Sequence, residues 1–173
     1  MGFFDFLKGK GQPEASSGNV LAAFADGTVV PMEQIPDQVF SQGIMGICCG
    51  IEPDGGKIYS PADGVVTQLT ETLHAVGLTV GDMEVLIHAG LDTVEMNGDG
   101  FTNTVKEGQT VKKGDLLLTM DLEKVRAAGH PTTVVLAVIN SGDFASVETT
   151  AHGRVRLGDS LMRAMEKEGA LPR

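Results

Sequence analysis

Glu84-Val85-Leu86-Ile87-His88-Ala89-Gly90-Leu91-Asp92 is the stretch around which the chain is organised. From Met83 to His88 the residues are mostly β-branched or aliphatic and read as a short strand. On a period of two, Glu84, Leu86 and His88 share one face, and Val85 and Ile87 share the other. Gly90 breaks the run, so His88 stands at the end of a strand, just before a turn. Fourteen positions earlier lies His74, in Glu71-Thr72-Leu73-His74-Ala75. Gly77 and Gly81-Asp82 between them carry turn signals. The simplest arrangement is two strands folded back on each other with the imidazoles facing across the gap. A histidine at a strand end is more often a satisfied surface residue than a catalyst, so the pair alone decides little.

Outward from this centre, short apolar runs alternate with turn pairs from Val20 onward. Asp26-Gly27, Pro53-Asp54-Gly55-Gly56, Ala62-Asp63-Gly64, Asn97-Gly98-Asp99-Gly100, Lys113-Gly114-Asp115 and Ser141-Gly142 punctuate the chain. That spacing predicts an all-β domain of hairpins over 20–160. A loose Gly, Val, Gly rhythm at Asp63–Val66, Glu107–Asp115 and His152–Asp159 fits repeated strand-turn units. One helix is expected from Asp121 to Gly129, with Asp121 as its cap and Gly129 as its stop. A second short helix is expected over Asp159 to Gly169, within a C-terminal tail at 161–173. Residues 1–19 read as a flexible tail, with Gln12-Pro13 and Ser16-Ser17-Gly18 as linker composition. Within it, Phe3, Phe4 and Leu7 fall on one side of a short helix beside Lys8 and Lys10. Residues 1–10 could therefore make peripheral membrane contact, although so short a helix is marginal alone.

Composition narrows the function. The chain has 173 residues, 42% of them hydrophobic but only 5% aromatic, with no Trp, so its core is aliphatic. The net charge of −10 argues against nucleic acid and favours a basic protein partner. No apolar run approaches the roughly 18 residues of a membrane span, and no secretory signal is visible. Cys48 and Cys49 are adjacent rather than spaced as a disulfide framework, so a cytoplasmic location is expected. They read as buried small hydrophobes. No Walker-type phosphate loop occurs, and no cofactor is expected.

Two chemistries suit the histidines. A neutral imidazole attacks a phosphoryl group well, and an ordinary pKa near 6.5 leaves His88 mostly neutral at pH 7. As a carrier residue it would need one ring nitrogen oriented and donors near the phosphoryl oxygens; His74 and the Thr72 hydroxyl could supply them. Zinc is the alternative, with His74 and His88 as candidate ligands and Asp92 as the third. His130 and His152 read as structural.

With these motifs in order, the chain resembles the glucose-family IIA component of the bacterial phosphoenolpyruvate-dependent sugar phosphotransferase system. The likeness covers about Val20 to Leu157. It rests on Ile35-Pro36-Asp37-Gln38-Val39-Phe40, Tyr59-Ser60-Pro61-Ala62-Asp63-Gly64 and Glu71-Thr72-Leu73-His74-Ala75. Its longest stretch is His88-Ala89-Gly90-Leu91-Asp92-Thr93-Val94-Glu95-Met96-Asn97-Gly98-Asp99-Gly100-Phe101. The resemblance implies an antiparallel barrel-sandwich hybrid, built as a duplicated hybrid motif with one or two short helices. It implies a phosphohistidine at His88, a stabilising His74 and an orienting Thr72. Asp37 and Asp92 would meet a basic side chain of a partner, inside an apolar collar of Val39, Phe40, Leu86 and Val94. The implied donor is the histidine phosphocarrier HPr. The implied acceptor is a cysteine of a IIB domain in a sugar permease. Gly46-Ile47-Cys48 departs from the family's common Gly-Asp-Gly, and Ala89 stands where Phe is frequent. A zinc endopeptidase of the LytM type shares His-x-x-x-Asp at His88–Asp92, but no later His-x-His pair occurs. A regulatory binding module using the same face without turnover is the third possibility.

Overall fold

The computed structural model describes residues 19–168. The tail over residues 1–18 and its expected amphipathic stretch lie outside the described residues.

The strands are short and the turns do much of the folding. In chain order the first half holds β1 (Val20–Ala22), β2 (Gly27–Val30), helix α1 (Gln38–Ser41), β3 (Ile47–Pro53), β4 (Lys57–Tyr59), β5 (Gly64–Leu69), β6 (Ala75–Val80) and β7 (Met83–Ala89). The second half holds β8 (Phe101–Asn103), β9 (Thr110–Val111), β10 (Leu116–Met120), helix α2 (Leu122–Ala127), β11 (Val134–Val138), β12 (Ser146–Thr149), β13 (Arg154–Val155) and β14 (Ser160–Met165). An eight-stranded sheet runs β13-β2-β3-β11-β7-β6-β5-β9, and two three-stranded sheets run β1-β14-β12 and β4-β10-β8. Every pairing among the described residues is antiparallel.

The alternation along β7 separates two apolar bodies. Val85, Ile87 and Ala89 enter the main core with Cys49, Ile51, Val134, Leu136 and Val138 from neighbouring strands. Leu86 packs instead on a smaller cluster of Ile35, Phe40, Cys48, Leu91, Val135 and Ala137 on the other face. Each fully buried Ile, Leu or Val contributes about 1.5–3 kcal/mol of hydrophobic stabilisation. The large sheet is thus clamped from both sides where His88 stands.

Two helical expectations had different outcomes. α2 forms where its pattern places it: Asp121 accepts from the N–H groups of Glu123 and Lys124, and Gly129 follows with φ +87. The expected helix over Asp159 to Gly169 does not form among its described residues, which end at 168. Ser160–Met165 is instead β14, which pairs with β1 on one side and β12 on the other. Leu161, Met162 and Ala164 are buried in the main core. Helix-favouring residues are overridden there by two vacant sheet edges and a core to fill, because intrinsic propensity is a weak bias beside tertiary burial. The packed body therefore extends through Met165, past the boundary expected at 160.

Cys48 and Cys49 point to opposite faces of β3, and both are buried without a disulfide. The Cys48 thiol donates to the Phe40 carbonyl at 3.4 Å, tying the strand to α1. Burial, with the Glu33 and Asp37 charges, pushes Cys48 up to about 12. Burial pushes Cys49 up to about 12 against an opposing hydrogen bond from Thr149. At pH 8 roughly one thiol in 10,000 would then be ionised. The folded protein is expected to resist a thiol-labelling disulfide reagent at pH 8, and denaturant should expose both groups at once. Fast labelling of either native thiol would contradict the packing described.

Candidate phosphoryl-transfer site

β6 and β7 form the hairpin that carries the two histidines. Their register places Ala75 opposite His88 and Val80 opposite Met83. His74 sits one residue before β6, and its carbonyl accepts from the Ala89 N–H at 2.8 Å. The imidazoles meet edge to face, with ring centroids 4.7 Å apart and planes at 80°. Phe40 closes the other side of His88 at 5.1 Å, also edge-on.

The orientation of each ring is set by one short hydrogen bond. Nδ1 of His88 lies 2.7 Å from the Gly90 carbonyl oxygen. A carbonyl oxygen only accepts, so Nδ1 carries the proton and, in the neutral ring, the lone pair belongs to Nε2. Nδ1 of His74 and Oγ1 of Thr72 are hydrogen-bonded at 2.7 Å, which leaves Nε2 of His74 for other contacts.

Gly90 can present that carbonyl only as glycine. Its φ is +78, and a Cβ there would lie 2.5 Å from the Thr93 methyl. Thr93 is fully buried and donates its hydroxyl to the Ala89 carbonyl at 2.7 Å. The turn beneath His74 is strained as well: Leu73 has φ +66, in the left-handed region. Asn103 Nδ2 donates to the Leu73 carbonyl at 3.1 Å and holds this conformation.

Both histidines are kept neutral. His74 falls to about 4, through burial first and the nearby His88 second, against a backbone hydrogen bond from Thr72. Burial also lowers His88, against the Gly90 hydrogen bond and the charges of Asp37 and Asp92.

The remaining expected site residues converge on the same end of the sheet. Asp37 caps α1, accepting from Val39 N–H at 2.9 Å and Phe40 N–H at 3.2 Å. Asp92 has φ +60 and opens the single-turn helix Thr93–Met96 that carries Val94. Val39 and Val94 are 43% and 50% exposed, so an apolar surface is offered to solvent there. Phe40 is buried against the smaller cluster, and Leu86 packs partly on it. His130 approaches Glu95, Nε2 to Oε1 3.9 Å. The zinc arrangement is not assembled: among the described residues no three His, Cys, Asp or Glu side chains converge on a metal position. The Gly90 carbonyl and Asn103 had no place in the motif reading. One is a backbone atom without a side-chain signal, and the other meets its partner across 30 positions.

Fold and site together define an antiparallel β-domain that presents a neutral, oriented histidine beside a second one. Comparison with known proteins agrees with that class. Residues 19–144 match the family model described as the phosphoenolpyruvate-dependent sugar phosphotransferase system, EIIA 1. The chain is 44% identical over 130 residues to a PTS system beta-glucoside-specific EIIBCA component of Dickeya chrysanthemi, covering 75% of this chain and 21% of that protein. It is 46% identical over 130 residues to a PTS system glucose-specific EIICBA component of Streptococcus pneumoniae, covering 75% of this chain and 18% of that protein. The chain thus spans about a fifth of the length of these curated relatives. The solved glucose permease IIA from Mycoplasma capricolum superposes with a TM-score of 0.75 at 30% identity, over 83% of this chain and 93% of that one. The chain belongs to the EIIA 1 family of the sugar phosphotransferase system, and its β-sandwich is the fold of that solved IIA structure. Among the described residues no helix is long and apolar enough to cross a membrane.

The neutral burial of His74 has a pH signature. Its folded pKa of about 4 lies below the ordinary 6.5, so between those values the unfolded chain binds more protons than the folded one. Stability is full above about 6.5 and falls as pH drops toward 4. By pH 5 the loss from His74 is on the order of 2 kcal/mol. Urea unfolding at pH 7.5 and pH 5 is expected to show a smaller difference for His74→Gln than for wild type. Equal differences would mean His74 is not held neutral by the fold.

Proposed function

We propose that this chain is a phosphocarrier: His88 accepts a phosphoryl group from the phosphohistidine of HPr and passes it to a cysteine of a IIB domain for sugar uptake. The observation that carries the proposal is the short Nδ1 contact of His88 with Gly90, which commits Nδ1 and leaves the Nε2 lone pair as the nucleophile. Burial supports it by keeping that nitrogen unprotonated at pH 7.

In the accepting step the Nε2–phosphorus bond forms as the donor's nitrogen–phosphorus bond breaks, and the donor imidazole keeps the bonding pair. In the donating step a IIB thiolate takes the phosphoryl group, and Nε2 regains its lone pair. His74, held at Nδ1 by Thr72, offers Nε2–H to the phosphoryl oxygens across the 4.7 Å gap. Asp37 and Asp92 meet a basic side chain of the donor or acceptor, as the chain's net charge of −10 favours. Val39 and Val94 supply exposed apolar contact, with Phe40 and Leu86 behind them. The names of both relatives join A to B and C components, and this chain matches about a fifth of each. That supports a IIB partner.

The test supplies phosphoenolpyruvate, Enzyme I and HPr, and follows intact mass. Wild type is expected to gain one acid-labile phosphoryl group, and His88→Ala none. His74→Gln should still be labelled but should pass the group to a IIB domain about 100-fold more slowly. Thr72→Val should slow the same step less. An unlabelled wild type, with active donors, would overturn the carrier role and leave binding without turnover.

A further inference from the structure

The Gly90 carbonyl that orients His88 must itself be held. From the β11 side the Gly90 N–H donates to the Thr133 carbonyl at 3.0 Å, and the Leu91 N–H to the Pro131 carbonyl at 3.1 Å. Segment 131–133 is therefore the bracket for the turn. Thr132 and Thr133 are 6% and 3% exposed, and both hydroxyls donate to one carboxylate, that of Glu52. The Thr133 bond to Oε2 is 2.8 Å, and the Thr132 hydroxyl reaches Oε1.

This connection follows from sheet register. Ile51 pairs with Val134 and Val134 with Ala89. One residue further along each strand, Glu52, Thr133 and Gly90 lie in a row across β3, β11 and the end of β7. Opposed residues in a sheet share a face, and alternation puts Glu52 on the same face as Cys48 and Thr133 on the same face as Val135. That is the side of the sheet on which the smaller cluster sits. Among the described residues Glu52 makes no salt bridge, so its bonds to the bracket are not a by-product of ion pairing. An ionised carboxylate only accepts, and two hydroxyls aimed at it lose their rotational freedom. The Thr133 methyl is fixed too. It lies 2.9 Å from where a Cβ on Gly50 would be, so the bare Gly50 leaves the space that methyl occupies.

We infer that Glu52 is a positioning residue for His88. It locks Thr132 and Thr133, they set the carbonyls of Pro131 and Thr133, and these hold the Gly90 peptide whose oxygen selects the Nε2 lone pair. The consequence for phosphoryl transfer rests on the carrier function proposed above; the consequence for the imidazole does not.

The experiment uses the full chain with Glu52→Ala, Glu52→Gln, Thr133→Val and the Thr132→Ala/Thr133→Val pair. Nitrogen and proton NMR of the imidazoles reads the His88 tautomer and the Nδ1–H signal. Initial phosphorylation by phospho-HPr reads function. Glu52→Ala is expected to weaken the Nδ1–H signal, mix the tautomers and slow phosphorylation about ten- to a hundredfold. Glu52→Gln, which keeps one acceptor and can donate to the second hydroxyl, should restore both readouts. The threonine pair should reproduce Glu52→Ala, and combining all three changes should add nothing further. Thr133→Val keeps the shape at Gly50 and should show the intermediate effect even if Glu52→Ala does not fold. Unchanged His88 signals in folded Glu52→Ala or in Thr133→Val would overturn the inference, as would a Gln variant no better than Ala. Altered imidazole signals with no phosphorylation in any variant, wild type included, would sustain the inference and reject the carrier role.

Discussion

One hydrogen bond, from His88 Nδ1 to the Gly90 carbonyl, decides what the site can do. A neutral imidazole in water is a mixture of two tautomers, and an unconstrained ring offers either nitrogen. The 2.7 Å contact removes one of them. It exists because the chain reverses direction two residues after the histidine, at a φ that suits glycine. Gly90 is hemmed in by Thr93 on one side and by the carbonyls of β11's approach on the other. The orientation of His88 is thus delegated to a backbone carbonyl. That choice is stiffer than a side-chain partner, because a peptide plane carries no rotamer freedom of its own.

At His88, desolvation works against the net charge of the molecule. Asp37 and Asp92 pull His88 toward protonation, and an acidic chain would do so generally. Desolvation wins, because the imidazole is enclosed by Phe40, His74 and the smaller apolar cluster. Two tasks meet at this place: carboxylates stand close to the imidazole, and the imidazole is desolvated. Separating those two tasks requires the sheet to be covered on both faces at β7, and the division of Cys49 and Cys48 between the two clusters shows that covering.

What could be read from the residues follows the range of the interactions. The strand at Met83–Ala89 and the helix after Asp121 are set by contacts within a few positions, and local pattern was enough for both. The strand at Ser160–Met165 was misread because Leu161 and Met162 are buried in succession and the apolar Met165 is exposed, so its residue types do not alternate even though burial does from Met162 onward. His74, Thr72 and His88 were legible as motif members with chemical side chains. Asp37 was read only as facing a partner, whereas it also caps α1. Glu52 reaches its threonines across 80 and 81 positions, and nothing near it in sequence announces the link. Leu73 in the left-handed region gave no warning either, since leucine rarely adopts it.

The spacing of the two imidazoles follows from the same backbone logic. The ring centroids are 4.7 Å apart. His88 stands on β7, and His74 on the residue that leads into its neighbour β6. His74 thus lies one step outside the β6 register, and the turn that carries it brings its ring against His88. The supports differ, however. His88 is fixed by the sheet and by Gly90, while His74 hangs on a turn held by Leu73, Asn103 and Thr72. The first support fixes which nitrogen of His88 carries the lone pair. His74, on a turn, is tied to Ala89 through its carbonyl and to Thr72 through its ring. A hairpin ending in two unlike turns thus holds two imidazoles edge to face, one by a backbone carbonyl and the other by the Thr72 hydroxyl.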